Sequence, residues 1–145
     1  MKIARYWQPY KDKKVRCFLC RHRCVVYPNQ AGVCQVRVNK EGKLYSLAYG
    51  MVIAAHIDPI EKKPLYHFLP GAKAFSIATV GCNFKCLNCQ NYEISQYVYD
   101  GSEIVPGEYL PPERIVQAAV ESRSEVIAYT YTEPTVFWEY VIDIA

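Results

Sequence analysis

The sequence has no long apolar run: no segment approaches the roughly 18 uninterrupted apolar residues that a membrane-spanning helix needs. The first 14 residues carry charges but have no apolar core behind them, so they are not a secretory signal peptide. A strong charge is missing too, because 17 basic and 14 acidic side chains leave a net charge of +3. That is too little to indicate nucleic-acid or membrane partners for the whole chain. These absences predict a cytoplasmic protein without a membrane partner.

Disulfides are a poor explanation for the seven cysteines. The count is odd, and cytoplasmic thiols stay reduced, so metal binding is favoured. The cysteines form a group of four and a later group of three. A closed structural site takes four protein ligands, whereas a reactive site leaves one position open. The grouping therefore predicts one closed and one open metal site, formed respectively by Cys17, Cys20, Cys24 and Cys34, and by Cys82, Cys86 and Cys89.

The four-cysteine block has the spacing C-x2-C-x3-C-x9-C, whose tight first pair is shared by zinc and iron–sulfur sites. Gly32 lies just before the last of these cysteines and lets the chain turn back toward the metal. We favour zinc as a fold-stabilising ion, and a second iron–sulfur cluster stays an alternative. His22 is interpreted as a surface residue and not as a ligand.

Three segments are predicted. Residues 1–48 form a Cys-rich lobe with a hairpin turning at residues 39–42, because apolar and polar residues alternate on both sides of that turn. Residues 49–73 form a connector whose apolar stretch, residues 60–68, is expected to pack. Residues 74–145 begin an α/β fold.

The α/β prediction comes from the order of the later elements. Residues 74–80 and 125–132 are typical of buried strands, and residues 113–122 and 134–145 have helical spacing. Strand, helix, strand, helix implies parallel strands with crossover helices. Ligands then gather beyond the strands' C-terminal ends, where we expect both Cys82 and Glu133. Two such units do not close a barrel, which takes about 200 residues or more. We therefore expect the N-terminal part of a partial (β/α) barrel, either truncated or completed by another chain.

The three-cysteine loop, residues 81–91, spaces its thiols as C-x3-C-x2-C. Thiolates favour iron–sulfur clusters and zinc, and neither the bacterial nor the plant ferredoxin spacing fits. Three protein thiolates on a four-iron cluster leave one iron open to a substrate or cofactor.

This loop resembles the signature of the radical S-adenosylmethionine (SAM) superfamily. Residues 60–68 (IEKKPLYHF), 89–96 (CQNYEISQ) and 129–135 (YTYTEPT) resemble the relatives of pyruvate formate-lyase activating enzyme known as AmmeMemoRadiSam-system radical SAM proteins, and the early cysteine block does as well. The likeness runs from about Val15 to the end of the chain.

The resemblance implies a [4Fe-4S] cluster on Cys82, Cys86 and Cys89, with SAM bound to the open iron and cleaved to a 5′-deoxyadenosyl radical. It also implies an electron donor such as a ferredoxin or flavodoxin, and a substrate, a protein among the candidates, which the sequence does not identify. The family's Gly-Gly-Glu motif corresponds here to residues 131–133, so Thr132 and Glu133 become candidate SAM contacts, although the glycines are missing. A carboxylate at a helix start is the other interpretation of Glu133. Asn88 stands where the family has an aromatic residue beside the adenine, and it offers backbone contacts only.

Two other functions are weighed against a radical SAM enzyme. One is an electron-transfer or scaffold protein with iron–sulfur and zinc centres but no SAM chemistry. The other is a zinc-ribbon module that binds nucleic acid through Arg16, Arg21 and Arg23. We rank the zinc ribbon last, because it gives the three-cysteine loop no role.

Overall fold

The computed structural model describes residues 1–145, the whole chain. Eleven short strands and three α-helices alternate with loops. The strands are β1 Lys2–Ile3, β2 Trp7–Pro9, β3 Val15–Cys17, β4 Val25–Val26, β5 Arg37–Lys40, β6 Lys43–Ser46, β7 Met51–Val52, β8 Ala54–Pro59, β9 Lys73–Ala78, β10 Glu108–Tyr109 and β11 Val126–Tyr129. The α-helices are α1 Tyr92–Ser95, α2 Pro112–Glu121 and α3 Trp138–Ile144, and 3₁₀ helices cover Ile60–Lys62 and Pro134–Phe137.

Four small sheets form, and none has more than three strands. Their strand orders are β1-β6-β5, β2-β3-β4, β10-β7 and β11-β9-β8. The predicted hairpin is confirmed as β5 and β6, which pair antiparallel with Asn39 opposite Leu44. Gly42 adopts a φ of +84° in its turn, and its backbone N–H donates to Asn39 Oδ1 at 2.8 Å.

The prediction of a partial (β/α) barrel is wrong. The structure consists mostly of small β-sheets with few helices, and it contains no barrel. One parallel pair is present, β9 with β11, and α2 lies between these strands in the chain. The other neighbour of β9 is β8, which runs antiparallel to it from Ala54 opposite Ala78 to Pro59 opposite Lys73. The alternation of strand and helix was identified along the chain, but that alternation does not specify an antiparallel neighbour.

The connector also differs from its prediction. Ile60 is fully buried, yet the rest of the apolar stretch does not pack as expected. Its large side chains Leu65, Tyr66 and Phe68 are exposed. The connector instead contributes strand β8, which the sequence did not indicate. The longest helix, α2, has 10 residues, and no helix has the length and hydropathy needed to cross a bilayer.

The largest hydrophobic core joins both halves of the chain. It contains Val36 and Val38 from the first half together with Ile77 from β9, Ile115 from α2 and Tyr140 from α3. Burial of such side chains contributes roughly 1.5–3 kcal/mol each. The β1-β6-β5 sheet and the sheet that carries the three-cysteine loop therefore share one core, whereas Val15, Cys17 and Val26 of the β2-β3-β4 sheet pack in a smaller separate cluster.

A buried ion pair also connects the two halves of the chain. Arg37 Nη1 of β5 donates to both carboxylate oxygens of Glu139 in α3, at 3.0 and 2.9 Å. The side chains are 3% and 1% exposed. Glu139 Oε1 also accepts the backbone N–H of Arg5 at 2.6 Å. Two charges taken out of water this completely depend on each other for compensation.

Replacing one partner of this pair should strongly destabilise the fold. We expect Glu139→Ala to cost about 3–5 kcal/mol in free energy of unfolding, because it leaves the Arg37 guanidinium buried and unpaired. Urea denaturation of the chain measures the loss. Glu103→Ala is the matched control: Glu103 pairs with Lys40 at 3.6 Å on the surface, and its removal should change stability by less than about 1 kcal/mol. Equal losses in the two variants would contradict the assigned role of the buried pair.

Candidate functional site

The largest pocket lies beyond the C-terminal ends of β9 and β11. Its volume is about 520 Å³, within the range of small-molecule sites. Cys82, Cys86 and Cys89 all line it. Residues 129–134 form a second side, and Lys62 and Lys63 form a third. The sequence-based expectation that the three-cysteine loop lines one site with the segment around Glu133 thus agrees with the structure.

The three thiols line this pocket, but they do not form a metal-binding group. Cys82 is buried and its Sγ accepts the backbone N–H of Phe84 at 3.4 Å, whereas Cys86 is exposed. Cys89 Sγ lies 3.2 Å from the Ser95 hydroxyl. No three Cys, His, Asp or Glu side chains of the chain form a group that holds a metal ion as they stand. All seven cysteines are free thiols.

The donor chemistry nevertheless fits an iron–sulfur cluster. Three soft sulfur ligands border one pocket that is much larger than a single ion requires. The hydrogen bond from the Phe84 backbone N–H to Cys82 Sγ is of the kind that stabilises a ligating thiolate. Cys86 lies in an exposed stretch of loop, and Leu87 beside it is fully exposed, so this part of the loop can adjust without disturbing the core.

Gly81 brings the three-cysteine loop into contact with the four-cysteine block. Its φ is +87°, a conformation that favours glycine. A Cβ at this position would lie 2.6 Å from the carbonyl oxygen of Cys34 and 2.6 Å from a methyl group of Val36. The backbone therefore passes directly against the last cysteine of the first group, one residue before Cys82.

The four cysteines of the first group line a small apolar cavity of about 20 Å³. Asn83 and Thr135 from the second half of the chain line it as well. Burial raises the pKa of Cys34 to about 11 and also raises the pKa of Cys17. Both thiols are therefore protonated at neutral pH in the metal-free chain. Four thiols around one cavity of roughly atomic size are a donor set that suits zinc.

The second side of the large pocket follows β11. Thr132 is buried and its hydroxyl donates to the carbonyl of Thr79, just after β9, at 2.9 Å. Glu133 Oε1 accepts the Thr135 hydroxyl at 2.5 Å and the Thr135 backbone N–H at 3.4 Å. Glu133 thus has the helix-start role, capping the 3₁₀ helix that begins at Pro134. It lines the pocket at the same time.

Tyr131 connects two sides of the pocket. Its φ of +65° is unusual for a residue with a side chain and costs roughly 1–2 kcal/mol. Its carbonyl accepts Asn91 Nδ2 from the three-cysteine loop at 3.0 Å. Its hydroxyl donates to Asp58 Oδ2 at 2.6 Å. The surrounding contacts therefore hold a strained backbone in place beside the cysteines.

Asp58 anchors the third side. Its buried carboxylate accepts Lys62 Nζ on Oδ1 at 2.8 Å and Lys63 Nζ on Oδ2 at 2.7 Å. Burial alone would raise the pKa of Asp58, but the hydrogen bonds from Lys62, Lys63 and Tyr131 outweigh it and hold that pKa well below its usual range. Burial and the bond to the Asp58 carboxylate raise the pKa of Tyr131 to about 12.

The sequence-predicted residues do not all reach the pocket. The structure brings together the three cysteines, Thr132 and Glu133, whereas Asn88 is exposed and does not line it. His22 is also exposed, with its Nδ1 3.6 Å from Cys20 Sγ. Sequence reasoning missed Lys62 and Lys63 as pocket residues, because no local spacing links the connector to the cysteine loop. Phe84, Gln90 and Asn91 of the cysteine loop and Tyr131 beside Thr132 also line the pocket, although sequence reasoning gave them no role at the site.

Comparison with known proteins finds two archaeal relatives, both from Methanocaldococcus jannaschii. An uncharacterized protein, MJ0808, is 44% identical over 143 residues, which cover 99% of this chain and 42% of the relative. Another uncharacterized protein, MJ0674, is 30% identical over 96 residues, or 66% of this chain and 23% of the relative. The chain thus spans less than half the length of either relative. No protein-family model matches the chain, and no solved structure does.

The contact at Gly81 can be tested by adding one methyl group. We expect Gly81→Ala to destabilise the chain by more than 2 kcal/mol, because the new Cβ meets backbone that cannot rotate away. Gly71→Ala is the control: Gly71 has a similar φ of +79°, but a Cβ there would meet no atom within 4 Å, so this variant should lose only about 1 kcal/mol. Thermal unfolding compares the two. If Gly81→Ala lost no more stability than the control, the close approach to Cys34 would be ruled out.

The lowered pKa of Asp58 predicts a dependence of stability on pH. A carboxyl group whose pKa is lower in the folded state than its unfolded value of about 3.9 stabilises the fold above that pH. This contribution is lost progressively as the pH falls below about 4. Asp58→Asn should therefore be less stable at neutral pH and show a flatter decline from pH 5 to pH 2, measured by urea unfolding. Asp12→Asn, at a largely exposed site, should keep the parent's decline. If Asp58→Asn lost as much stability between pH 5 and pH 2 as the parent, protonation of Asp58 would not be a cause of the acid-induced loss.

Proposed function

We propose that this chain is the cluster-binding part of a radical SAM enzyme, in which Cys82, Cys86 and Cys89 hold a [4Fe-4S] cluster. The observation that carries the proposal is that three free thiols with C-x3-C-x2-C spacing line one pocket of about 520 Å³. When bound and reduced, the cluster supplies the electron that cleaves SAM to methionine and a 5′-deoxyadenosyl radical, which abstracts hydrogen from a substrate.

The chain's own residues would bind and position SAM in this pocket. Glu133 Oε2 accepts no hydrogen bond from the chain, while Oε1 is held by Thr135, so one carboxylate oxygen is available to an ammonium group. Thr132 fixes that segment to the end of β9 through Thr79. Phe84 lines the pocket and offers an apolar surface to a nucleoside, whereas Asn88 lies outside the pocket lining.

The four-cysteine block would hold a structural zinc ion. Its thiols line a cavity close to the size of one ion, and the buried pair Cys17 and Cys34 needs a cation to become thiolates at neutral pH. Because this block contacts Gly81, the ion would stiffen the base of the three-cysteine loop. It would have no direct role in the chemistry. The remaining partners of the proposal are a low-potential electron donor, such as a ferredoxin or flavodoxin, and an unidentified substrate.

Metal analysis of anaerobically reconstituted protein tests both sites. We expect about four iron and four sulfide ions per chain from the cluster, and about one zinc. Cys86→Ala should lose the iron and keep the zinc. Cys20→Ala is the matched control, because Cys20 is a half-buried member of the other group and its removal should lower zinc alone. Loss of iron in Cys20→Ala and its retention in Cys86→Ala would contradict the assignment of the sites.

Enzymatic function is tested on the same samples. With dithionite as reductant, the reconstituted chain should convert SAM to 5′-deoxyadenosine, and Cys86→Ala should reduce the yield to background. Chromatographic detection of 5′-deoxyadenosine measures both. A chain with a full cluster that produced none would favour the electron-transfer or scaffold interpretation.

A further inference from the structure

The third side of the large pocket carries a charge arrangement that the proposed function does not use. Lys62 and Lys63 both bind the single carboxylate of Asp58, at 2.8 and 2.7 Å. Two ammonium groups on one carboxylate leave a net charge of +1. Both lysines line the pocket.

The two lysines are held in place before any ligand arrives. Asp58 is only 5% exposed, and it is fixed by the Tyr131 hydroxyl at 2.6 Å as well as by the lysines. Lys63 Nζ also lies 4.8 Å from the centre of the Tyr131 ring, a cation–π distance. The Lys63 side chain is 11% exposed and that of Lys62 is 61% exposed. Lys63 is therefore the packed member of the pair, and Lys62 is the one open to a ligand.

No other group of the chain neutralises this excess charge. Glu133 supplies the one carboxylate in the pocket lining, but its hydrogen bonds go to Thr135 and it forms no ion pair with either lysine. Lys62 follows Asp58 by four residues, and it ends the 3₁₀ helix Ile60–Lys62. One short segment therefore supplies both the carboxylate and its cations.

We propose that Lys62, supported by Lys63 and Asp58, forms an anion subsite that takes a carboxylate or phosphate group of a molecule bound beside the cysteines. The bond to Asp58 holds the Lys62 ammonium at the edge of the pocket, and the ammonium of Lys63 on the same carboxylate adds to the attraction for an anion. Because Asp58 also holds Tyr131, which accepts Asn91 from the cysteine loop, an anion bound at Lys62 would be positioned relative to that loop.

Phosphate titration of the metal-free chain tests the subsite without iron or SAM. In ¹H–¹⁵N NMR spectra, inorganic phosphate should shift the backbone amides of Lys63 and Tyr131. Lys62→Gln should weaken this binding about tenfold, because the cluster of charges then sums to zero while Lys63 still pairs with Asp58 and keeps the fold intact. Lys62→Arg should restore it.

Lys11→Gln is the control variant, because Lys11 is exposed and the substitution removes the same charge at a distant site in the sequence. It should leave the phosphate affinity unchanged. Phosphate binding that was equally strong in Lys62→Gln, or that fell equally in Lys11→Gln, would overturn the proposal.

The source of the anionic group is identified by a second titration with SAM and with decarboxylated SAM. If Lys62 binds the SAM carboxylate, Lys62→Gln weakens SAM about tenfold and leaves decarboxylated SAM unchanged. If the anion belongs to another bound molecule, SAM affinity is unchanged and phosphate binds together with SAM. Either result supports the subsite, and the phosphate result stands even if the chain cleaves no SAM.

Discussion

The close approach of Gly81 to the Cys34 carbonyl is the contact on which the arrangement of the two cysteine groups depends. A Cβ at this position would lie 2.6 Å from that oxygen, so only glycine lets the loop after β9 pass the four-cysteine block. Asn83, two residues later, lines the four-cysteine cavity, while its neighbour Cys82 lines the large pocket. The two cysteine groups therefore lie next to each other in the fold, on either side of the start of the three-cysteine loop, although they are far apart in sequence.

The pocket is held together by a second set of contacts centred on Tyr131. This residue accepts Asn91 from the cysteine loop and donates to Asp58, which in turn holds the two lysines. Its φ of +65° shows that tertiary contacts, and not local preference, decide its conformation. The cysteine side and the lysine side are linked through one strained residue.

Local patterns predicted the elements that depend on neighbouring residues. The β5–β6 hairpin is specified by its alternating residues and by the glycine in its turn, and helix α2 by its amphipathic spacing after Pro111–Pro112. The pocket position of Cys82 and Glu133 followed from their places after two strands, since those strands pair in parallel. These features need little information from the rest of the chain.

The features that sequence patterns missed depend on distant pairing. Strand β8 lies in the predicted connector, a region whose Pro, His and Lys content favours a surface segment, and its antiparallel pairing with β9 replaces the expected barrel arrangement. Lys62 and Lys63 reach the pocket only through that pairing, and charged residues in a connector give no local sign of it. Leu65 and Phe68 were expected to pack because they are apolar, yet they are exposed.

The proposed function requires that three thiols of this pocket hold a cluster with one iron open to SAM. Electron paramagnetic resonance of the reconstituted, dithionite-reduced chain, recorded with and without SAM, tests it most directly. If one iron is open to SAM, SAM should change the g values of the reduced cluster in the parent chain, and Cys86→Ala should show no cluster signal. A cluster spectrum that stayed the same when SAM was added would contradict it.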